Sequence, residues 1–119
     1  MAAQARGIGA ESRVCRALEG QGWIVLLRRA RTACGEVDIV AELPGAELIA
    51  FIEVKARTTF SEAACALSAA QRGRLLGAAE ILLDRHPRWQ RYSFRFDLVM
   101  LDGAGQMRRI ADAFRIGDG

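Results

Sequence analysis

Residues 48–56 read Leu-Ile-Ala-Phe-Ile-Glu-Val-Lys-Ala, an apolar run in which Glu53 and Lys55 are the only charged residues. Its β-branched and aromatic residues predict the strongest strand of the chain. Because side chains alternate between the two faces of a strand, Glu53 and Lys55 point to the same face. This strand is therefore the place to look for both the fold and a functional site.

The segments on either side of this strand predict an α/β fold. Glu36 to Ala41 alternates polar and apolar residues, and residues 44–47, Pro-Gly-Ala-Glu, predict a turn that joins the two strands. The order is helix, three strands, helix, then one or two strands, which indicates a mixed sheet whose first three strands form a meander. We take residues 1–119 as one domain, because ~150 residues is the usual unit. The other predicted elements are helices over about 10–20 and 67–85 and strands over 23–27, 93–102 and 107–111.

The composition is that of a folded protein that stays inside the cell. Of 119 residues, 51% are hydrophobic and 26% charged, which excludes a disordered or fibrous chain. No apolar run approaches the ~18 residues of a membrane span, and no signal peptide is recognisable, so we expect a cytoplasmic protein without a membrane partner. The net charge of +3 permits a nucleic-acid partner without requiring one. One histidine and three cysteines in no known spacing argue against a Ser-His-Asp hydrolase and a thiolate zinc site.

The turn fixes which residues of the two hairpin strands face each other. If the hairpin is symmetric about residues 44–47, opposed residue numbers sum to 91, which places Asp38 opposite Glu53. Directly opposed side chains share a face with Cβ atoms about 5 Å apart, so two carboxylates would lie side by side near Lys55. Such a pair is destabilising unless one carboxyl is protonated or a cation lies between them. The same register places Glu36 opposite Lys55 and turns Val37, Ile39, Ile52 and Val54 to the other face.

Two interpretations of these charges remain open. In the first, Asp38 and Glu53 hold Mg²⁺ or Mn²⁺, hard cations that take oxygen ligands from carboxylates, water and phosphates. A metal held there would polarise a phosphodiester and lower the pKa of a bound water, while Lys55 stabilises the developing negative charge. In the second, the strands carry a cross-strand charge ladder in which Glu36 pairs with Lys55 and the other carboxylates lie at a solvated edge.

Two helical residues are further candidates for the site. Glu11 shares the apolar stripe of the first helix, where a carboxylate needs a cation or hydrogen-bond donors. It either reaches the metal cluster through water or lies at the rim, helped by the helix dipole. Gln71 either reaches a phosphate or the attacking water, or is a polar residue near a helix start. Asp97, between Phe96 and Leu98, is interpreted as an ion-pair partner on the side of Arg95.

Lys55 is the only lysine of the chain, whereas sixteen of the seventeen basic residues are arginines. A compact ammonium whose pKa shifts on burial differs chemically from a guanidinium, so the exception points to Lys55. The arginines near the candidate site could hold a nucleic-acid backbone, although a solvated surface explains each one singly. They are Arg28, Arg29, Arg31, Arg57, Arg72 and Arg74.

Three segments resemble the YraN family of small bacterial proteins. They are residues 35–40, Gly-Glu-Val-Asp-Ile-Val, residues 51–57, Phe-Ile-Glu-Val-Lys-Ala-Arg, and residues 95–99, Arg-Phe-Asp-Leu-Val. Glu11 on the first helix and the Gly22-Trp23 entry to the next strand also fit that family. The YraN family in turn resembles the Holliday-junction resolvases and the wider PD-(D/E)XK nucleases.

That resemblance implies a restriction-endonuclease-like sheet flanked by helices and a Mg²⁺-dependent phosphodiesterase centre. Its metal ligands would correspond to Asp38 and Glu53, its lysine to Lys55 and its helix carboxylate to Glu11. At the position of Gln71 the family more typically carries a lysine, so the role of this glutamine does not follow from the resemblance.

Three functions remain to be distinguished. The first is a metal-dependent endonuclease that hydrolyses phosphodiester bonds in branched or structured DNA, for which we expect a homodimer to span a junction. The second is a nucleic-acid-binding module of the same fold, accessory to repair or recombination, that cleaves slowly or not at all. The third is a structural or protein-interaction role. No base-reading helix is evident, so we expect recognition of nucleic-acid shape and backbone.

Overall fold

A computed structural model of the chain describes residues 2–114, with side chains from residue 9 onward. Within this range, helices and strands form an α/β domain, and the strands form one five-stranded sheet of order β1-β2-β3-β4-β5. No helix of the described chain is long and apolar enough to cross a bilayer. The elements are α1 (Ala2–Gly20), β1 (Ile24–Arg31), β2 (Glu36–Leu43), a 3₁₀ turn (Pro44–Ala46), β3 (Leu48–Ala56), α2 (Phe60–Cys65), α3 (Ala69–Arg85), a second 3₁₀ turn (Pro87–Arg91), β4 (Ser93–Leu101) and β5 (Met107–Phe114).

The sheet is mixed, as the sequence predicts. β1, β2 and β3 pair antiparallel as a meander, β4 lies parallel to β3, and β5 returns antiparallel to β4. A parallel neighbour requires a crossover connection, and α2 and α3 supply it between β3 and β4. The strand predicted over 48–56 therefore occupies the centre of the sheet with the predicted bounds.

Helices cover both faces of the sheet. On one face α1 packs through Val14 and Leu18 against a cluster that includes Ile52 of β3. On the other face Leu75 of α3 packs against a second cluster that includes Phe51. Successive residues of β3 thus alternate between two apolar layers, which explains why the segment is almost continuously apolar. Glu53 and Lys55 lie on the α3 side of this strand.

The connection from β3 to β4 contains two helices, whereas the sequence predicts one. The Thr59 side chain accepts a hydrogen bond of 3.1 Å from the Glu62 amide and begins α2. The Ser68 hydroxyl accepts one of 3.1 Å from the Gln71 amide and begins α3. Both are N-caps. The single helix predicted from residue 67 is wrong about residues 60–65, because six residues are too short for a helical period to be visible.

The prediction for Val37 is also wrong. It packs in the α3-side cluster with Phe51, whereas Ile39 packs on the α1 side. The alternation of β2 breaks at the residue between them, which is Asp38. Across from it in β1, Arg29 has a left-handed backbone (φ 49°), and β1 carries a register shift between Val25 and Leu27. Irregular backbone in the neighbouring strand thus changes the face that β2 presents, which no periodicity argument could detect.

Candidate functional site

The β2–β3 hairpin brings two carboxyl groups together. Its pairs run from Leu43–Leu48 to Ile39–Ile52, so opposed residue numbers sum to 91 and the predicted register is confirmed. The hairpin closes through the Pro44–Ala46 turn, with Glu47 in the left-handed conformation that ends it. The next rung of this register joins Asp38 and Glu53. The nearby Asp38 carboxyl group contributes to a raised pKa of Glu53.

At this rung the Asp38 carboxylate, and not a backbone carbonyl of β2, accepts the hydrogen bond of a β3 amide. The Val54 amide donates a hydrogen bond of 2.8 Å to Oδ2 of Asp38, beyond the last paired rung. Charge-assisted bonds of this kind are stronger than those between neutral groups, so the bond fixes the Asp38 carboxylate beside β3. Asp38 is half-buried, whereas Glu53 is only 9% exposed. The Asp38 side of the pair is therefore open to solvent, whereas the Glu53 side is closed to it.

The pair carries more negative charge than its surroundings compensate. Burial, together with the hydrogen bonding and negative charge of Asp38, raises the pKa of Glu53 to about 8, while Lys55 opposes this shift. A carboxyl group in this situation keeps its proton at neutral pH. Two carboxyl groups that share a proton form a site where a divalent cation could replace that proton.

Lys55 lies next to the pair on the same face. Its ammonium group is 3.6 Å from Oε2 of Glu53, and the residue is 8% exposed. In the amide orientation that satisfies both neighbours, Oε1 of Gln71 accepts from Lys55 Nζ at 3.2 Å, and its Nε2 donates to the Ala66 carbonyl at 2.8 Å. The junction of α2 and α3 thus places the Gln71 side chain in contact with the Lys55 ammonium group. The sequence Ser68-Ala-Ala-Gln71 also has the spacing of a capping box, which disguises this role.

Glu36 does not pair with Lys55, so this part of the charge-ladder interpretation is wrong. Glu36 belongs to the β1–β2 pairing, where it faces Arg31, and its carboxylate lies 3.4 Å from the Arg31 guanidinium. Lys55 instead contacts Glu53 and Gln71. Its ammonium is therefore directed to the carboxyl pair.

Glu11 lies on α1 and is bound by Arg29, which the sequence offered only as one of the arginines that could hold a nucleic-acid backbone. The Glu11 carboxylate is 7% exposed and accepts from Arg29 Nε at 3.0 and 3.4 Å. The hydrogen bond and charge of Glu11 raise the pKa of Arg29, with smaller effects from Glu36 and Asp38. Arg29 therefore lies between the α1 carboxylate and the strand carboxylates. That Glu11 itself reaches a metal stays a prediction. No sequence signal pointed to this contact, because the register of the β1–β2 pairing, which places Arg29 across from Asp38, was not predicted.

The chemistry of the donors fits a hard divalent cation. Mg²⁺ is commonly held by one or two carboxylates, with waters and substrate phosphates filling the remaining positions. Asp38 and Glu53 supply two such carboxyl groups, at adjoining positions of the β2–β3 register. Among residues 9–114, no three Asp, Glu, His or Cys side chains are grouped so that they alone could hold an ion. The pair would therefore depend on water or substrate oxygens for the rest of the coordination.

The other predicted residues take two different roles. Asp97 is fully buried and forms a two-point contact with Arg95, at 2.9 and 3.1 Å, so its interpretation as an ion-pair partner is confirmed. The predicted nucleic-acid-binding arginines lie near the pair in the chain, and their contact with a nucleic-acid backbone stays a prediction. Of these, Arg31, Arg57 and Arg74 are exposed and Arg72 is half-buried.

Comparison with known proteins gives one consistent result. The model of the family described as "Uncharacterised protein family UPF0102" matches residues 10–101, which include the second half of α1, the hairpin, Lys55 and β4. A UPF0102 protein of Granulibacter bethesdensis is 51% identical over 110 residues, 92% of this chain and 68% of that protein. UPF0102 proteins of Azorhizobium caulinodans and Acidiphilium cryptum are 41% and 42% identical over 97% and 98% of this chain, and 86% and 88% of their own lengths.

Proposed function

This chain belongs to the UPF0102 family, also called YraN, and we propose that it is a cytoplasmic, metal-dependent endonuclease. Its carboxyl pair lies beside a buried lysine, Lys55. Its substrate would be a phosphodiester bond in branched or structured DNA. The observation that carries the proposal is the placement of Asp38 and Glu53 at adjoining positions of the β2–β3 register, with Lys55 Nζ 3.6 Å from Glu53 Oε2. Buried carboxyl groups with strongly shifted pKa values are concentrated at functional sites.

Each residue of the site has a defined part in hydrolysis. Asp38 and Glu53 would hold Mg²⁺ or Mn²⁺, which when bound polarises the phosphodiester and activates a water. Lys55 would donate a hydrogen bond to the phosphate oxygen on which negative charge develops. Gln71 holds the lysine ammonium in place, since its amide is itself fixed by the Ala66 carbonyl. The water oxygen bonds to phosphorus and releases a proton to solvent, the bond to the leaving oxygen breaks, and that oxygen takes up a proton.

The test combines metal binding with cleavage. We expect titration calorimetry to show Mg²⁺ or Mn²⁺ binding to the wild type that falls at least ~10-fold in Asp38→Ala and in Glu53→Gln. The matched control is Glu80→Gln, which removes an exposed carboxylate of α3 and should leave binding unchanged. Metal-dependent nicking of junction or duplex DNA by the wild type, lost in Lys55→Met, would support the nuclease. No metal binding at millimolar concentration, even with DNA present, would overturn it.

A second candidate is a nucleic-acid-binding module of the same fold that does not cleave. It is favoured by the engagement of Glu11 with Arg29, which leaves two grouped carboxyl groups in place of three. Metal binding and DNA binding by the wild type, without nicking of junctions, duplexes or single strands, would support this module over the enzyme.

A further inference from the structure

We propose that a cavity at the carboxyl ends of β3 and β4 binds a backbone phosphate of nucleic acid, with Arg13 and Arg57 as its cations. The inference rests on the proposed nucleic-acid substrate. The cavity has a volume of about 380 Å³ and lies between the first half of α1, the end of β3 and the turn from β4 to β5. In open α/β sheets, ligands commonly bind in the crevice beyond the carboxyl ends of the strands.

The two arginines of the cavity are held by neutral groups. The Arg13 guanidinium donates to the Gly105 carbonyl, and Arg57 Nη1 donates to the Ala56 carbonyl at 2.8 Å. Neither forms an ion pair with a carboxylate in the described part of the chain. Their positive charges are therefore uncompensated by carboxylates, while carbonyl contacts restrict both side chains. A phosphate oxygen is the natural partner for guanidinium groups in this state.

One carboxylate also lines the cavity, but it serves the neighbouring turn. Oδ1 of Asp102 accepts from the Ala104 amide at 3.0 Å and from the Gln106 amide at 2.8 Å. These two amide donors stabilise the negative charge of the Asp102 carboxylate within the turn. Since two arginines face one carboxylate, the lining carries a net charge of +1.

Glycines of the same turn shape the cavity around Arg13. Gly105 has a φ of +83°, and a Cβ there would lie 3.3 Å from Arg13 Nη1. A Cβ at Gly103 would lie 3.3 Å from the Thr58 carbonyl oxygen. A side chain at either position would crowd the groups that build the site. Glycine at positions 103 and 105 therefore allows the turn to pack closely against Thr58 and Arg13.

The cavity stands beside the carboxyl pair without sharing its face. Arg57 follows Lys55 by two residues, and Ala56 between them packs with the α1-side cluster. Lys55 points to the α3 side, where Gln71 contacts it. A nucleic-acid strand that crosses the end of β3 would therefore meet Lys55 on one side and the two arginines on the other. Because phosphates recur at regular steps along a strand, two of them could be bound together.

The test measures DNA binding without metal, so that it does not depend on catalysis. Anisotropy of a labelled junction would be followed in EDTA over a range of salt concentrations, for Arg13→Gln, Arg57→Gln and the control Arg16→Gln. Arg16 is an exposed arginine of α1 that does not line the cavity. We expect each cavity variant to bind several-fold more weakly and to lower the slope of log K against log salt by about 1. Arg13→Lys, which keeps the charge, should keep the wild-type slope.

The outcomes separate this inference from the proposed function. If the cavity variants match Arg16→Gln in affinity and slope while remaining folded by circular dichroism, the phosphate site is refuted even if the wild type cleaves DNA. If the wild type binds DNA through these arginines but neither binds metal nor cleaves, the phosphate site stands and the nuclease does not. A wild type that binds no DNA in EDTA at any salt concentration would overturn the phosphate site, while metal binding and nicking test the nuclease separately.

Discussion

Two buried carboxyl groups lie on neighbouring strands of this sheet, and their surroundings differ. Asp97 of β4, which pairs in register with Ile52, contacts Arg95 at 2.9 and 3.1 Å and accepts from the Asp112 amide at 2.9 Å. Glu53 of β3 has one cation at 3.6 Å and a second carboxyl group against it.

The difference separates a structural ion pair from a site prepared for a ligand. Asp97 is enclosed by opposite charge on the α1 side, where Arg109 also approaches it at 3.9 Å, and both arginines lie over the Trp23 ring. A fully satisfied polar network rigidifies a core. Glu53 lacks that compensation, and burial together with the neighbouring Asp38 raises its pKa to about 8. Burial of a carboxyl group therefore does not distinguish a structural ion pair from a ligand site until its hydrogen-bond and ion-pair partners are known.

The largest expected effect is on the satisfied side of the comparison. Asp97→Asn should lower the free energy of unfolding by about 3–5 kcal/mol, because it leaves Arg95 without its counter-charge in a buried contact. Urea denaturation followed by circular dichroism measures the change. Asp84→Asn, an exposed carboxylate of α3, is the control and should stay within about 0.5 kcal/mol of the wild type. A loss below 1 kcal/mol for Asp97→Asn would show that the network is not structural.

The Glu11–Arg29 pair should give an intermediate effect. Arg29→Ala leaves a buried carboxylate without its hydrogen-bond donor, which we expect to lower the free energy of unfolding by about 1–3 kcal/mol. Adding Glu11→Gln removes the stranded charge, so the double variant should recover part of that loss. A double-mutant cycle by urea denaturation gives the coupling. Strictly additive losses would mean that the contact at 3.0 Å does not stabilise the fold.

On the uncompensated side, removing the charge should stabilise the protein at high pH. The folded-state pKa of Glu53 is raised to about 8 from 4.5, so between these values the unfolded chain ionises while the folded chain keeps its proton. Stability then falls as pH rises through this window. Glu53→Gln cannot ionise, and in EDTA it should be more stable than the wild type by about 1–3 kcal/mol at pH 8.5, with little difference near pH 4.5.

Thermal melts across pH 4.5 to 9 provide the measurement. The expected signature is a flatter pH profile for Glu53→Gln than for the wild type or for Glu80→Gln. Parallel profiles for Glu53→Gln and the wild type would show that Glu53 is ionised in the folded protein at neutral pH, and the contrast with Asp97 would disappear.

The smallest effect is expected at Gln71. Gln71→Ala removes one hydrogen bond to Lys55 and one to the Ala66 carbonyl, and we expect a loss of about 0.5–1.5 kcal/mol in the free energy of unfolding by urea denaturation. The Ser68 cap should persist, because it uses the Gln71 backbone amide. A larger loss, together with reduced helix signal in circular dichroism, would show that Gln71 acts on α3 and not on the lysine.

Sequence reasoning succeeded where local rules were sufficient. The hairpin register followed from the turn at residues 44–47, because a one-residue slip would have moved every side chain to the wrong layer. From that register came the approach of Asp38 to Glu53 and the face of Lys55. The central strand was predicted with its full bounds, since few other structures accommodate so apolar a segment between two turns.

It failed where the structure depends on contacts distant in the chain. The left-handed backbone of Arg29 and the shifted pairing of β1 change the face of Val37, and neither is encoded in a periodicity. The partner of Glu11 comes from a different element, so the sequence could indicate that a cation was needed but not which one. Gln71 could not be assigned because its spacing from Ser68 suits a helix cap equally well.

The hydrogen bond from the Val54 amide to Asp38 has a spectroscopic consequence. An amide proton that donates to a carboxylate shifts when that carboxylate is protonated or engaged by a cation, and Val54 lies at the centre of the sheet. In a ¹H–¹⁵N spectrum this single resonance would report the state of the carboxyl pair without any label in the site. The chemical shift of the Val54 amide, followed during titrations with acid, Mg²⁺ or DNA, would show at which pH or concentration each of them changes the carboxyl pair.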